Sequence, residues 1–460
     1  MSPPGLRSHD RNNELMSAKI VKVSEVVDCQ AIGGFQYFVF LLGAATLFVE
    51  GTDMQAIAYV SPTLSKEWGL PRGTLGPVFS AALFGLMIGA FLISPLADRL
   101  GRRRIILWSV FLFGALTLLT AMAQSLPSLL VMRFLTGLGL GGAMPNVVAL
   151  AAEYSPDRKR ASIVMFVFTG FPIGAAVGGF IAAKLIPSYG WQSVFIFGGI
   201  LTLLLWLILI LKLPESIHFL ALMGGKDKRV PRLISKIDRR IDPTEPVQVV
   251  TDEKVVTGIT VRHLFQDGRG PVTALLWIVY FMSLLNLYLL ASWLPTTINS
   301  RGISVEHAVI ATSLLHAGGI VGAVVLGLLT ARFGTSRVMP ASYLLAATCI
   351  ASITLTGTSV TLTMLAVFCA GFAVIGCQNC NNGFASTLYP TGIRATGVGW
   401  ANGVGRVGSI TGPSIAGVML SMDVDIASIF ITGSAAALCA AGAVAGIAHW
   451  RADPVRAGAT

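Results

Sequence analysis

Two acidic residues in an otherwise apolar stretch, Glu50 and Asp53, are the first groups in this chain that could do chemistry. Three residues apart on a helix, they share one face. Carboxyls kept from water and beside one another favour sharing a proton and titrate as a unit. The pair can load and release a proton; the plainer alternative is a structural pair bonded to basic or backbone partners. Arg406 sits in the run GVGRVGS, where glycines on either side are expected to clear space around its guanidinium. That fork binds a carboxylate bidentately, whether a ligand's or the protein's own at Glu50 or Asp53. Arg133 opens RFLTGLG and divides evenly between proton-linked and structural roles. His316, in LLHAGG, is the one histidine well inside an apolar stretch. Its imidazole can relay a proton or bond a hydroxyl, although a lone polar residue more often bonds a neighbouring helix. Gln378, Asn379, Asn381 and Asn382 form an amide-rich patch, of which Gln378 and Asn382 are taken as ligand contacts. Trp293, Tyr59, Phe171 and Trp400 could flank an aromatic ring, and Trp293 is the one carried forward. Asp98, Arg102 and Arg103 lie together in a polar junction, where a carboxylate and guanidiniums can lock helix ends and release them.

These residues need a scaffold, and the composition bounds it. The 460 residues are 54% hydrophobic and only 12% charged, against about 25% charged in soluble domains. Mean hydropathy is +0.74. The missing charge fits a lipid solvent, where a charge at mid-helix costs roughly 2.5–3.5 kcal/mol. Twelve apolar stretches approach the ~20 residues that span a bilayer core. They run 35–57, 74–97, 105–124, 127–151, 162–186, 191–212, 272–298, 307–330, 338–357, 361–386, 396–421 and 425–449. The expected organisation is a cytoplasmic segment 1–34, a six-helix bundle 35–212, a cytoplasmic linker 213–271, a second bundle 272–449 and a tail 450–460. The fold class is all-α integral membrane. Residues 1–34 carry no cleavable signal, so the first span is expected to act as an uncleaved anchor.

The net charge of +11 does not point to nucleic acid, because the basic residues sit in short loops. The termini, the linker and the loops from even to odd spans hold 27 of the 33 Lys and Arg residues. The opposite loops hold four, Lys66, Arg72, Lys184 and Arg301. The positive-inside rule then puts both termini in the cytoplasm, in a bacterial inner membrane. Six cysteines show neither metal nor disulfide spacing: Cys29 is in the polar N-terminal segment, and Cys377-x-x-Cys380 reads as small-residue packing inside a span.

The halves repeat. SPLADRLGRRRIIL (94–107) is echoed by GLLTARFGTSRVMP (327–340) at an offset of 233. EYSPDRKRA (153–161) is echoed by TLYPTGIRA (387–395) at an offset of 234, matching Arg160 to Arg394. Duplicated bundles of this kind place a ligand site between halves, near mid-membrane, and alternate its access by rocking.

The 94–107 segment resembles the major facilitator superfamily loop signature Gly-x-Leu-x-Asp-Arg-x-Gly-Arg-Arg, with Ser94 replacing the opening Gly; in the second copy Ala331 replaces the Asp. RFLTGLGLGG (133–142) and LPESIHFL (213–220) resemble that superfamily's fourth span and linker start, and the likeness covers about 35–449. EGTDMQAIAYVSPTL from Glu50, SWLPT (292–296) and YPTGIRATGVGWANGVGRVGSITGP (389–413) resemble the aromatic acid–proton symporter branch. The resemblance implies a major facilitator fold and proton-coupled uptake of a hydroxybenzoate-like or chlorinated phenoxyacetate-like acid, by alternating access. Glu50 and Asp53 match the acidic pair of that branch's first-span motif, which implies proton coupling; Arg406, on the chemistry of its fork, is the first candidate for the substrate carboxylate. Arg133 and Arg394 are carried as coupling or structural residues, and Asp98, Arg102 and Arg103 as conformational control. Protons are the coupling ion; no cofactor, metal or nucleic acid is expected. The partners are the aromatic carboxylate, protons and the lipid bilayer, and the chain is expected to be a monomer.

Other classes stay open. A proton-driven exporter is the alternative: GSITGP (408–413) vaguely matches an antiporter signature, but exporters carry it in span five, where this chain has TGFPIGAAVGG (169–179). A sugar carrier lacks the basic residue expected soon after PES. A membrane receptor signalling through 213–271 has no signalling module there. Enzyme activity has no nucleophile–base pair or phosphate-cradling loop behind it.

Overall fold

The computed structural model describes residues 19–22, 27–28, 32–71, 73–222, 229–237, 247–250, 261–266 and 268–452. Cys29 and Arg72 lie outside the described residues. Twelve long helices carry the chain. In order they are α1 Gly34–Glu67, α2 Gly76–Leu92, α3 Arg102–Thr120, α4 Leu126–Glu153, α5 Arg160–Tyr189 and α6 Gln192–Lys212. The second set is α7 Gly270–Asn299, α8 Val305–Phe333, α9 Thr335–Ser352, α10 Val360–Leu388, α11 Thr391–Ser421 and α12 Ile426–Ala452. Helix is the form that satisfies every backbone group within the segment, which a lipid solvent demands.

Among the described residues, eleven helices are long and apolar enough to cross a membrane. The remaining one, α11, is 31 residues long but diluted by Arg394, Asn402, Arg406 and repeated glycine. Helix α1 also outruns its expected end at 57, continuing past Pro62 to Glu67.

The packing repeats as the sequence does. In the first half α1 lies on α5, α2 on α4, and α3 on α6; in the second, α7 lies on α11, α8 on α10, and α9 on α12. Ser125 and Ser359, 234 residues apart, cap the equivalent helices α4 and α10 by accepting from the backbone N–H three residues on. Gly101 and Gly334 open α3 and α9 with φ of +94° and +83°, a conformation that favours glycine. A Cβ on Gly174 would collide with the Phe48 carbonyl, and one on Gly408 with the Phe281 carbonyl. These are duplicate positions, and small residues there let α1 and α5, and α7 and α11, approach backbone to backbone.

The halves meet along a seam of α2 with α11, α5 with α8, and α1 with α7. Ser80 bonds Ser414 at 2.7 Å and donates to the Ile410 carbonyl. Ser61 and Thr296 hydroxyls lie 2.7 Å apart, and the Gln55 amide donates to the Ala291 carbonyl. All of these sit toward the end that carries the α1–α2 and α7–α8 loops. The linker contributes short helices Ile217–Leu222 and Arg229–Ile237, and a strand Val247–Val250 that pairs in parallel with Lys19–Lys22. Ile234 and Ile237 are buried, and the Lys236 ammonium sits 5.2 Å over the Phe35 ring at the start of α1.

Candidate functional site

Glu50 and Asp53 project from the middle of α1, both essentially without solvent contact. Their surroundings differ. Asp53 faces Arg133 of α4, whose Nη2 lies 3.1 Å from Oδ2 and whose Nη1 lies 3.2 Å from Oδ1. The same Nη2 donates to the Asp53 carbonyl at 3.2 Å, and the Thr117 hydroxyl of α3 lies 2.5 Å from Oδ1. The Phe195 ring of α6 stands 5.8 Å from the guanidinium carbon. A bidentate fork with a hydroxyl on the carboxylate is the geometry in which a buried ion pair can hold its charges. Four helices of the first half are pinned by it.

Glu50 has nothing of the kind. Among the described residues, neither carboxyl oxygen has a hydrogen-bond partner. The charges whose fields reach it are those of Arg406, across the seam on α11, and Asp53. Arg406 is half-buried; its Nη2 donates to Met144 Sδ at 3.7 Å, and its side chain lies beside the Tyr288 hydroxyl of α7. No carboxylate lies within ion-pair distance of Arg406 among the described residues. An unpaired acid and a guanidinium with donors to spare thus face one another near the middle of the bundle. Of the glycines beside Arg406, Gly403 borders open space as expected, with nothing within 4 Å of where a Cβ would stand, but the other two do not have that role. Gly405 meets the Leu284 side chain and Gly408 the Phe281 carbonyl, so they bring α11 against α7 rather than clearing room for the fork.

Residues 43–413, which include all four charged groups, match the family model of the Major Facilitator Superfamily. The chain belongs to that superfamily. It is 40% identical over 395 residues to the 4-hydroxybenzoate transporter PcaK of Pseudomonas putida, covering 86% of this chain and 88% of that one. It is 38% identical over 431 residues to the gallate transporter of the same species, covering 94% and 96%. Its fold is that of the xylose transporter XylE from E. coli, with a TM-score of 0.67 at 17% identity over 89% of this chain and 98% of that one.

In this major facilitator chain the other expected residues are scattered. Trp293 is buried in the seam: its indole donates to the Pro413 carbonyl at 3.0 Å and its ring meets Phe79 edge-on, so it packs the closed end instead of lining an open site. His316 is buried on α8 with Nε2 unbonded, one turn from Ser313, which abuts Gly179 of α5. Gln378 accepts from Asn381, and Asn382 accepts from the Tyr280 hydroxyl and from Asn402, forming a separate amide network on α7, α10 and α11. Arg394 reaches only its local Tyr389 carbonyl, at 3.5 Å.

The junction signature divides as well. Asp98 is exposed. Arg102 pairs with Glu153 at 2.7 Å. The Arg103 guanidinium closes the last turn of α6 by donating to the Ile210 and Leu213 carbonyls, and its backbone N–H donates to Glu215. Glu215 and Ser216 of the PES run therefore bind α3, α4 and α6 into one end plate, with the Ser216 hydroxyl on Glu153. Sequence reasoning missed Thr117, Tyr288, Gln55, Glu153 and Glu215. Glu215 stands in LPES, Gln55 in EGTDMQAIAYVSPTL and Glu153 in EYSPDRKRA, but nothing in those runs singled them out; Thr117 and Tyr288 lie in no such run.

Proposed function

We propose that the chain carries an aromatic carboxylic acid of the hydroxybenzoate or gallate kind into the bacterial cell together with a proton, by alternating access. The substrate class is supported by the relatives, whose names are those of 4-hydroxybenzoate and gallate transporters. The coupling is supported by one observation: Glu50 is buried without a partner while Arg406, facing it, has guanidinium donors that no protein carboxylate occupies. An ionised carboxylate so placed would bear a desolvation cost of several kcal/mol with no hydrogen bond, and only the field of Arg406, to offset it. A proton on Glu50 removes that cost and leaves Arg406 for the substrate's carboxylate. When the anion leaves and Glu50 gives up its proton, Glu50 takes Arg406 in the anion's place.

One proton travels with one anion, and that balance makes the cycle electroneutral. An uncompensated anion would oppose the membrane potential by about 2.3 kcal/mol per 100 mV. Asp53 does not cycle in this scheme; Arg133 holds it. With both termini and the linker cytoplasmic, the end closed by Ser61, Ser80 and Trp293 faces outward. The scheme is tested by uptake of labelled 4-hydroxybenzoate, with gallate, benzoate and chlorinated phenoxyacetates as competitors. Accumulation that an uncoupler abolishes is expected, and Arg406→Lys should lose most of it although the charge is kept. Wild-type uptake by Arg406→Lys, or efflux in place of accumulation, would overturn the scheme.

A further inference from the structure

Beside Tyr288, a small cavity opens between α1 and α2 of the first half and α7 of the second, lined by Met54, Gln55, Phe79, Leu83, Tyr288 and Ser292 among others. Apart from Tyr288, its polar groups are those of Gln55 and Ser292. Gln55 gives its amide N–H to the Ala291 carbonyl, leaving the side-chain oxygen as an acceptor. Ser292, next in the chain to Ala291, has a hydroxyl that no protein group engages among the described residues. A free acceptor and a free hydroxyl at one wall are what a phenolic O–H requires, since it donates one hydrogen bond and accepts another.

Tyr288 and Ser292 are four residues apart on α7, so they lie on one face, separated by about 6 Å of helix rise. Tyr288 marks the carboxylate end, because Arg406 lies beside its hydroxyl; Ser292 marks the other. We propose that Ser292 and Gln55 read the ring hydroxyl of the substrate and make the carrier selective for para-hydroxylated acids over the unsubstituted acid. The proposal rests on the aromatic-acid reading above. In this conformation the cavity is roughly the size of one water, so the ring enters as α2 and α7 part.

The test compares initial rates of uptake of labelled 4-hydroxybenzoate and labelled benzoate by wild type, Ser292→Ala and Gln55→Met. Loss of one hydrogen bond to the ring hydroxyl should raise KM for 4-hydroxybenzoate about five- to tenfold, while KM for benzoate stays within about twofold. Ser292→Thr, which keeps the hydroxyl, should restore much of the preference. Retained benzoate uptake shows that the variants fold and cycle. Equal changes for both acids, or no change for either, would overturn the proposal while leaving aromatic-acid transport in place. If wild type takes up neither acid, the parent reading and this one fall together.

Discussion

The offset of 233 that carries Gly101 onto Gly334 also carries Glu50 onto Ser283 and Asp53 onto Asn286. The two halves share a fold and differ in charge. In the first half the central positions hold carboxyls, one of them locked to Arg133; in the second they hold a hydroxyl and an amide. Asn286 makes a single bond, donating to the Gly433 carbonyl at 2.9 Å, and leaves its own oxygen unbonded. The asymmetry runs the other way on the partner helices: at the offset of 234 that carries Gly174 onto Gly408, Arg406 of α11 corresponds to Pro172 of α5. Duplication supplied two equal scaffolds. In the proposed cycle the acid of the first half and the guanidinium of the second bring a proton and an anion together across the seam between them.

The comparison can be broken most severely at Asp53. Asp53→Asn leaves Arg133 buried without its counter-charge, a loss of about 3–5 kcal/mol in buried pairs. The variant should show a lowered Tm in detergent and reduced abundance in the membrane. Asp53→Asn combined with Arg133→Met removes both charges and should recover much of that stability. If the single variant is as stable as wild type, the pair does not hold the first half together. At the matching position of the second half, Asn286→Ala forfeits one neutral hydrogen bond and should cost about 1 kcal/mol. A fall in Tm as large as that of Asp53→Asn would mean the halves are held together alike, contrary to the account.

Much of the scaffold was legible in the sequence. The loop echoes marked the duplication, and the apolar runs marked twelve helices, because a lipid solvent leaves few ways to be wrong about a long apolar stretch. The site was legible only by residue. Glu50, Asp53, Arg133 and Arg406 stand out as charges in apolar runs, but nothing local says that Asp53 meets Arg133, 80 residues on, and Glu50 does not. Tyr288 and Gln55 were invisible because their roles come from neighbours on other helices. Trp293 was the conspicuous aromatic of α7, yet its indole is spent on Pro413. Around Arg406, Gly403 borders open space while Gly405 and Gly408 pack on α7, and the sequence does not separate them because close packing and open space call for the same residue. The pairing of Lys19–Lys22 with Val247–Val250 joins segments that no pattern relates.

In the proposed cycle Glu50 carries the proton and Arg406 the anion. It is tested most directly with Glu50→Gln in proteoliposomes, measuring labelled 4-hydroxybenzoate both in counterflow exchange and under an imposed pH gradient. A neutral side chain mimics the protonated acid, so exchange should persist while gradient-driven accumulation disappears. Accumulation at the wild-type ratio in Glu50→Gln would contradict the account.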